Sequence, residues 1–513
     1  MIEHKLAVAQ LDWDKVVDIE DRRETFWSDY LLDNSRTTAY LHVNQPVKHD
    51  ETPIKLDAPW DGNSISYPQI IFADGEYRMY YLTGTHDGVN AITGLAGTVI
   101  CMLTSTDGID WKRPNLGFYE WDGSKDNNIV MDEGGGHTLD NFFIFRDENP
   151  TCPDNEKYKA LTMVENHDHP FPAERELWCW TSPDGFHFEK GWLMTTGAVP
   201  NGGIFDSMNI AYWDEKKGKY ISYVRGLHDA PGRGTANGLR DIRYMESEDF
   251  KHWSNPGILE YGDSDDYELY TNNIQRYYRA PHILTGFPTR YTERHWWPRN
   301  NDFMGEENVA LRKKVVETSR IPRLGFVQTD GLFMSSHDGL NWDRFDEAMF
   351  TADAENAYNW VYGDGYPAYG MVETPRPYPH TTNEISMYVM EGHQRVKPNR
   401  IYRYVIRLDG FASYRADYEQ KVVCTKPLMF DGDTLTLNFK TSGRGYIFVR
   451  VLDYYGKPFE GFQSYELFGD SYDRPVLFDS GADLSKLKGK PIRLEFLMSE
   501  ADIYSIKFEK TEK

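Results

Sequence analysis

The chain has 513 residues, a formal net charge of −24, and unusually many aromatic and turn residues: 34 Tyr, 14 Trp and 42 Gly. That length allows more than one core, and the composition suits strands and turns rather than a disordered chain. The negative charge excludes sequence-independent binding to nucleic acid, whose phosphates it would repel, and leaves a neutral or small partner.

Residues 1–55 are charged and weakly periodic, with a short helix expected near Asp14 to Leu32; they are expected to form an N-terminal extension packed on the main body. The stretch SYPQIIFADGEYRMYYLTG then combines a polar start, an apolar run, an Asp74-Gly75 turn and a Tyr-rich return, the pattern of an antiparallel hairpin. Similar hairpins follow at LDNFFIFRDENPTCPDNEKYKALTM, FDSMNIAYWDEKKGKYISYVRG, YRAPHILTGFPTRY and GYPAYGMVETPRPYPHTTNEISMYVMEG. Between them recurs a turn of the form S-x-D-G-x-x-W, with aspartates at Asp107, Asp184, Asp249 and Asp338 and a degenerate copy at Asp409. Ser and Asp bond nearby backbone groups in such a turn, and the aromatic folds back onto the sheet. Repeats of roughly 70 residues cannot cover both sheet faces alone, so they must pack on neighbours, and radial packing makes a propeller. An all-β fold is expected, with a five-bladed β-propeller over 56–411. Within it Glu306 to Arg320 forms a helical insertion. From 412 to 513, short strands and Gly-containing turns predict a C-terminal β-sandwich domain.

Cys101, Cys152, Cys179 and Cys424 show no CxxC spacing and are expected as buried or inert thiols. No stretch approaches the ~20 apolar residues of a membrane span, and the first residues lack an apolar run, so a cytoplasmic protein with no membrane partner is expected.

In a propeller the residues leading into each inner strand surround the channel mouth, so groups distant in sequence converge. Blade one offers Asp61, Asn63 and Tyr67; blade two, His137, Asp140 and Asn141; blade three, Asp206, Ser207 and Asn209; blade four, Glu268, Asn272, Arg279 and His282; blade five, Trp360, Tyr366 and Glu373. Several carboxylates among aromatic and amide groups suit glycosidic cleavage. One carboxyl group protonates the leaving oxygen while another attacks or activates water, and aromatic faces carry sugar rings. No metal or cofactor is required by the spacing, although oxygen-rich channels can hold a structural Ca²⁺.

Five blades with acids at these places, followed by a β-sandwich, resemble the fructosidase and arabinofuranosidase superfamily, families 32, 43 and 68 of the glycoside hydrolases, over roughly residues 57–513. The resemblance implies Asp61 in PWDGN as nucleophile or base and Asp140 in HTLDNF as the acid that stabilises the transition state or tunes a pKa. It also implies a general acid in blade three, where FDSMN presents Asp206 instead of the usual Glu; Glu268 in YELYTNNIQ is the other candidate. Arg146-Asp147 is similar to the fructosidase RDP motif, but its place after a strand favours a hairpin turn. The expected activity is a glycoside hydrolase acting on a terminal bond of a small glycan or furanoside. The alternatives are a glycoside phosphorylase, with Arg276, Arg279 and His282 holding phosphate, and a non-catalytic carbohydrate-binding propeller.

Overall fold

The computed structural model describes residues 12, 15–49, 53–85, 96–132, 139–169, 173–228, 238–295, 297, 306–318, 322–355, 359–360, 362–377, 379–380, 382–393 and 398–510. They form two compact units, one of residues 1–44, 277–281 and 407–513, the other of residues 45–276 and 282–406.

The larger unit is a five-bladed β-propeller. Blade one comprises Ser64–Ala73, Glu76–Thr85, Ala96–Ser105 and Ile129–Asp132; blade two, Asp140–Arg146, Tyr158–Glu165, Arg175–Ser182 and Glu189–Thr196; blade three, Ile210–Asp214, Lys219–His228, Leu239–Ser247 and Gly257–Ile258. Blade four comprises Gln275–Tyr277, Ala280–Gly286, Met334–Ser336 and Asp343–Arg344. Its hairpin thus starts earlier than expected, because Thr289–Glu293 leaves the blade to pair with Val327–Gly331. The helix Glu306–Thr318 lies within this excursion, as its composition predicts.

The repeated turns form as their sequence dictates. At Ser105-Thr106-Asp107-Gly108 the Gly108 N–H donates to Ser105 Oγ at 2.9 Å, and the Ile109 and Asp110 N–H groups donate to Asp107 Oδ1. The same bonds recur around Asp184 and Asp338. The position after each aspartate needs a positive φ, supplied by Gly108, Gly185 and Gly339 and, in blade three, by Phe250 at +64°. The indoles of Trp111, Trp253 and Trp342 fold back onto the carbonyls of Gly108, Phe250 and Gly339.

These same carbonyls join the blades. Tyr388 of blade five donates to Gly108 O of blade one, Tyr80 of blade one to Gly185 O of blade two, Trp192 of blade two to Phe250 O of blade three, and Tyr223 of blade three to Gly339 O of blade four. Near the axis, Gln69 bonds Phe142 O and Ile144 N, Asn272 bonds Met208 O, Asn273 bonds Pro367 O, and Tyr369 exchanges backbone bonds with Pro68 and Ile70. The ring is therefore closed from blade five to blade one.

Blade five holds Val372–Pro375, Asn383–Glu391 and Asn399–Arg407, and its outer edge is completed from the beginning of the chain: Val47–Lys48 and Ile54–Leu56 pair with Asn399–Arg407. The segment expected as a packed extension thus supplies strands to both units, and the helix expected near Asp14 to Leu32 is replaced by strands Val17–Glu20 and Arg23–Thr25.

The smaller unit is a β domain whose strands belong to one ten-stranded sheet around its own core of Phe439, Val449, Phe496 and Ile503. Its spine is two long strands, Thr434–Asp453 and Ile492–Glu509, whose ladder breaks register between Thr441 and Tyr446. Tyr40–Val43 and Arg23–Thr25 add to the same sheet. Asp409, expected as a fifth turn aspartate, is instead fully buried here, bonded by Arg23, Arg279, Tyr277, Ser505 and Asn438. Burial works to raise its carboxyl, but the two guanidinium groups and the hydroxyls hold it below the ordinary value.

Two substitutions test this architecture by urea unfolding. Leu56→Ala, on the closing strand and fully buried, is expected to lose about 2–5 kcal/mol. Tyr223→Phe, which removes the neighbouring blade's hydroxyl from the Gly339 carbonyl but leaves it the Trp342 indole, is expected to lose about 0.5–1.5 kcal/mol.

Candidate functional site

At the axial end of four blades a non-glycine residue adopts the left-handed region. The strand Ser64–Ala73 breaks register between Ser66 and Gln69, and Tyr67 sits in that bulge at φ +52°. The strand Asp140–Arg146 breaks between Asp140 and Phe143, with Asn141 at +55°; Phe205, just before Asp206, is at +53°, and Asn273 at +44°. Bulges re-aim side chains, so the same local distortion recurs where side chains must leave the sheet for the mouth.

The result is a ring built from all five blades: Tyr67, Asp140, Asp206, Tyr270 and Tyr366. Burial pushes the Tyr67 hydroxyl well above its ordinary value, and the nearby Tyr270, Tyr362, Asp206 and Asp140 push it further. Tyr366 is raised by burial and by the same Tyr270 and Tyr67. Among the described residues, the Asp206 carboxylate has no hydrogen bond or ion pair, and the Tyr67 hydroxyl has no partner either. Asp140 Oδ1 accepts from the Asn141 N–H at 2.8 Å.

Around this ring lies a second layer that sequence reasoning did not find. Tyr270 stacks on Tyr291 and on Tyr366, each at 5.7 Å between ring centroids. The Tyr362 hydroxyl donates to the Tyr270 hydroxyl at 2.8 Å, and the Tyr362 ring meets His393 edge-on at 5.3 Å. Arg225 lies over Tyr270 at 5.0 Å and Arg240 over Tyr291 at 4.1 Å. Arg240 is ion-paired with Glu268. The site therefore combines two acids, a floor of tyrosines and two arginines, one of them already neutralised. Tyr270, two residues past Glu268, carried the available sequence signal; Arg225 and Arg240 sit on strands Lys219–His228 and Leu239–Ser247, where no motif marks them.

Other candidates stand elsewhere. Asp61, expected as nucleophile or base, is 0% exposed. It ends a short 3-10 turn, Pro59–Asp61, and accepts from the Ala58 N–H, the Tyr81 hydroxyl and Arg113 Nη2 at 2.9, 2.9 and 2.6 Å. Burial raises its carboxyl, against the pull of Arg113. With both oxygens engaged in its own blade, it braces the approach to blade one. Asn63 donates its N–H to Gly84 O. Asn209 spends its amide on Phe205 O, Ser207 O and the Arg225 N–H, and Asn272 on Met208 O and Tyr223 O, so both hold backbone rather than substrate. Asn141 is buried with Nδ2 unbonded. Arg279 pairs with Asp409, and Arg276 with Asp214 at 3.1 Å. His282 faces His337 with ring centroids 6.3 Å apart. Glu373 accepts from Asn383 at the hairpin end of blade five, away from the mouth. Trp360 lines a cavity of about 490 Å³ with Trp297, His295 and Asp330. Asp147 bridges blades two and three through Lys159 and the Tyr220 hydroxyl, a structural role. His137 lies outside the described residues. Among the described residues, no group of three His, Cys, Asp or Glu side chains is placed to hold a metal ion, and no helix is long and apolar enough to cross a membrane.

No protein-family model matches the chain, and no curated protein sequence matches it. Similar solved structures include an N-acetylgalactosamine deacetylase from F. plautii in complex with blood group B trisaccharide, at 12% identity and a TM-score of 0.42 over 72% of this chain and 96% of that one. Others are a GH32 β-fructofuranosidase of Bombyx mori, at 9% and 0.38 over 93% and 95%, and an α-L-arabinanase of Penicillium chrysogenum complexed with arabinobiose, at 11% and 0.34 over 76% and 94%. These TM-scores lie below 0.5, so the chemistry of the site is argued from its own residues.

Beside Arg240 a cavity of about 290 Å³ is lined by His228, Asp241, Asp266, Tyr261, Tyr267 and Arg344. His228 bonds Asp241 at 2.9 Å and Asp266 at 3.1 Å, and these carboxylates raise its imidazole to about 9. A raised histidine stabilises the fold fully below its unfolded value, near 6.5, and loses that contribution as pH rises through the folded value. The Tm difference between wild type and His228→Gln, measured by differential scanning calorimetry, is therefore expected to be largest below pH 6.5 and to shrink towards pH 9 and above.

Proposed function

We propose that this protein is a glycosidase that cleaves the terminal bond of a small glycan or furanoside at the propeller mouth. The observation that supports this most is Asp206: a carboxylate at the axis, beside Tyr67 and Tyr270, that no group among the described residues engages by a hydrogen bond or ion pair. A carboxyl group spared from bracing the fold is free to exchange a proton with a substrate. Asp206 is assigned as proton donor to the leaving oxygen, and Asp140, from the adjacent blade, as the carboxylate that attacks the sugar or activates water. Tyr67, whose hydroxyl is held protonated well above neutrality, donates a hydrogen bond at the reacting centre. The rings of Tyr270 and Tyr366 support the sugar face. Glu268 acts through Arg240, as its counter-charge.

The phosphorylase reading is less favoured, since two of its three phosphate-holding groups, Arg276 and Arg279, are ion-paired with Asp214 and Asp409; turnover that depends on added phosphate would restore it. The decisive experiment is a panel of aryl glycosides with wild type and single variants. Asp206→Asn and Asp140→Asn are each expected to lower kcat by about 10²- to 10⁴-fold with Tm unchanged, whereas Asp61→Asn is expected to lower Tm. Unaltered turnover in both mouth variants would remove the acid assignment. A wild type inactive across the panel yet binding sugars would favour the non-catalytic carbohydrate-binding propeller.

A further inference from the structure

Arg225 is 2% exposed yet has no carboxylate partner among the described residues. Its side chain is nevertheless fixed: Nε donates to Gly226 O at 3.0 Å, and Nη1 to Asp206 O at 3.0 Å and Tyr270 O at 3.4 Å. The guanidinium plane is thus set by three carbonyls and by the Tyr270 ring beneath it. Among the described residues, Nη2 has no acceptor. Its surroundings do little to neutralise it. Burial and the neighbouring Arg240 disfavour the charge, and Asp206 offsets this only in part, without bonding it. Arg240 is already matched by Glu268. A buried, immobilised cation without a carboxylate partner is costly to the folded chain, and an arriving anion offsets that cost.

We propose that Arg225 is a specificity-determining residue that receives the anionic substituent, a carboxylate or sulfate ester, of an acidic sugar entering the mouth. This rests on the glycosidase reading and narrows its substrate class. The charges favour a monoanion: one free guanidinium nitrogen offers two N–H groups, while the Asp140 carboxylate would repel a doubly charged phosphate. The fixed plane means that the anion bonds without further ordering of the side chain.

The test is calorimetric titration of glucuronate, glucose 6-sulfate, glucose and inorganic phosphate into wild type, Arg225→Met, Arg225→Lys and Asp206→Asn. At least one acidic sugar is expected to bind wild type about tenfold or more tightly than glucose. That preference is expected to disappear in Arg225→Met and to persist in weakened form in Arg225→Lys, the variant to rely on if Arg225→Met fails to fold. Tighter binding of glucuronate assigns the carboxylate, and tighter binding of the sulfated sugar assigns the sulfate ester; both support the subsite. Equal binding of glucose and the acidic sugars, an undiminished preference in both Arg225 variants, or phosphate binding more tightly than either acidic sugar would overturn it. Asp206→Asn separates the two proposals. Lost turnover with an intact acidic preference supports both, and intact turnover removes the glycosidase reading while the Arg225 result still stands or falls by binding.

Discussion

The propeller depends on one recurring constraint: a turn carbonyl at the edge of a blade must find its donor on the blade before it. Gly108, Gly185, Phe250 and Gly339 occupy the same left-handed position, and their carbonyls receive Tyr388, Tyr80, Trp192 and Tyr223 from the preceding blades. Each cross-blade bond adds about 0.5–1.5 kcal/mol to the indole bond that the carbonyls of Gly108, Phe250 and Gly339 already accept, so each turn favours one angle at which its neighbour packs. The requirement leaves little room at these positions. A Cβ on Gly339 would lie 2.5 Å from the Tyr223 hydroxyl, and one on Gly108 would lie 2.5 Å from Val372. Phe250 meets the same demand with a large side chain because its ring fills the space between Phe145, Tyr220 and Trp253.

Outer ties of this kind allow irregularity at the centre. Left-handed, non-glycine residues at Tyr67, Asn141, Phe205 and Asn273 are costly, and they persist only where the surrounding structure over-determines them. Here the surroundings are the amides of Gln69, Asn209, Asn272 and Asn273, which hold backbone groups of their own and adjacent blades. The polar residues nearest the mouth therefore divide into two kinds. The amides of Gln69, Asn209 and Asn272 are consumed by the scaffold, while the Asp206 carboxylate, the Tyr67 hydroxyl and Arg225 Nη2 have no hydrogen-bond partner among the described residues.

The repeat was legible because its turn chemistry is local: Ser, Asp and Gly at fixed spacing declare a turn whatever surrounds them. The convergence of Tyr67, Asp140, Asp206 and Tyr366 followed from counting blades. What sequence could not convey was direction. Asp61 has the composition and position of a mouth acid, but the 3-10 turn before it rotates the carboxylate into its own blade, onto Arg113 and Tyr81. Glu268 lies near the mouth, yet its partner Arg240 comes from a strand that carries no motif. Arg279 stands three residues from His282 but belongs to the other compact unit, where Asp409 takes its charge. Asp409 in turn copies the turn motif while serving as a buried hub, since its sequence neighbours cannot reveal Arg23, nearly four hundred residues earlier.

The completion of blade five from the start of the chain has a consequence for biosynthesis. Ile54–Leu56 leaves the ribosome roughly 340 residues ahead of its partner strand, Asn399–Arg407. Until that strand is made the closing segment and the open flank of blade one remain without partners, so the ring cannot be sealed before then. Closure over that separation is slow, because its loop entropy is lost before any contact repays it. For this chain the vulnerable period is elongation itself, when unpaired strand edges are open to aggregation and to the chaperones that shield them.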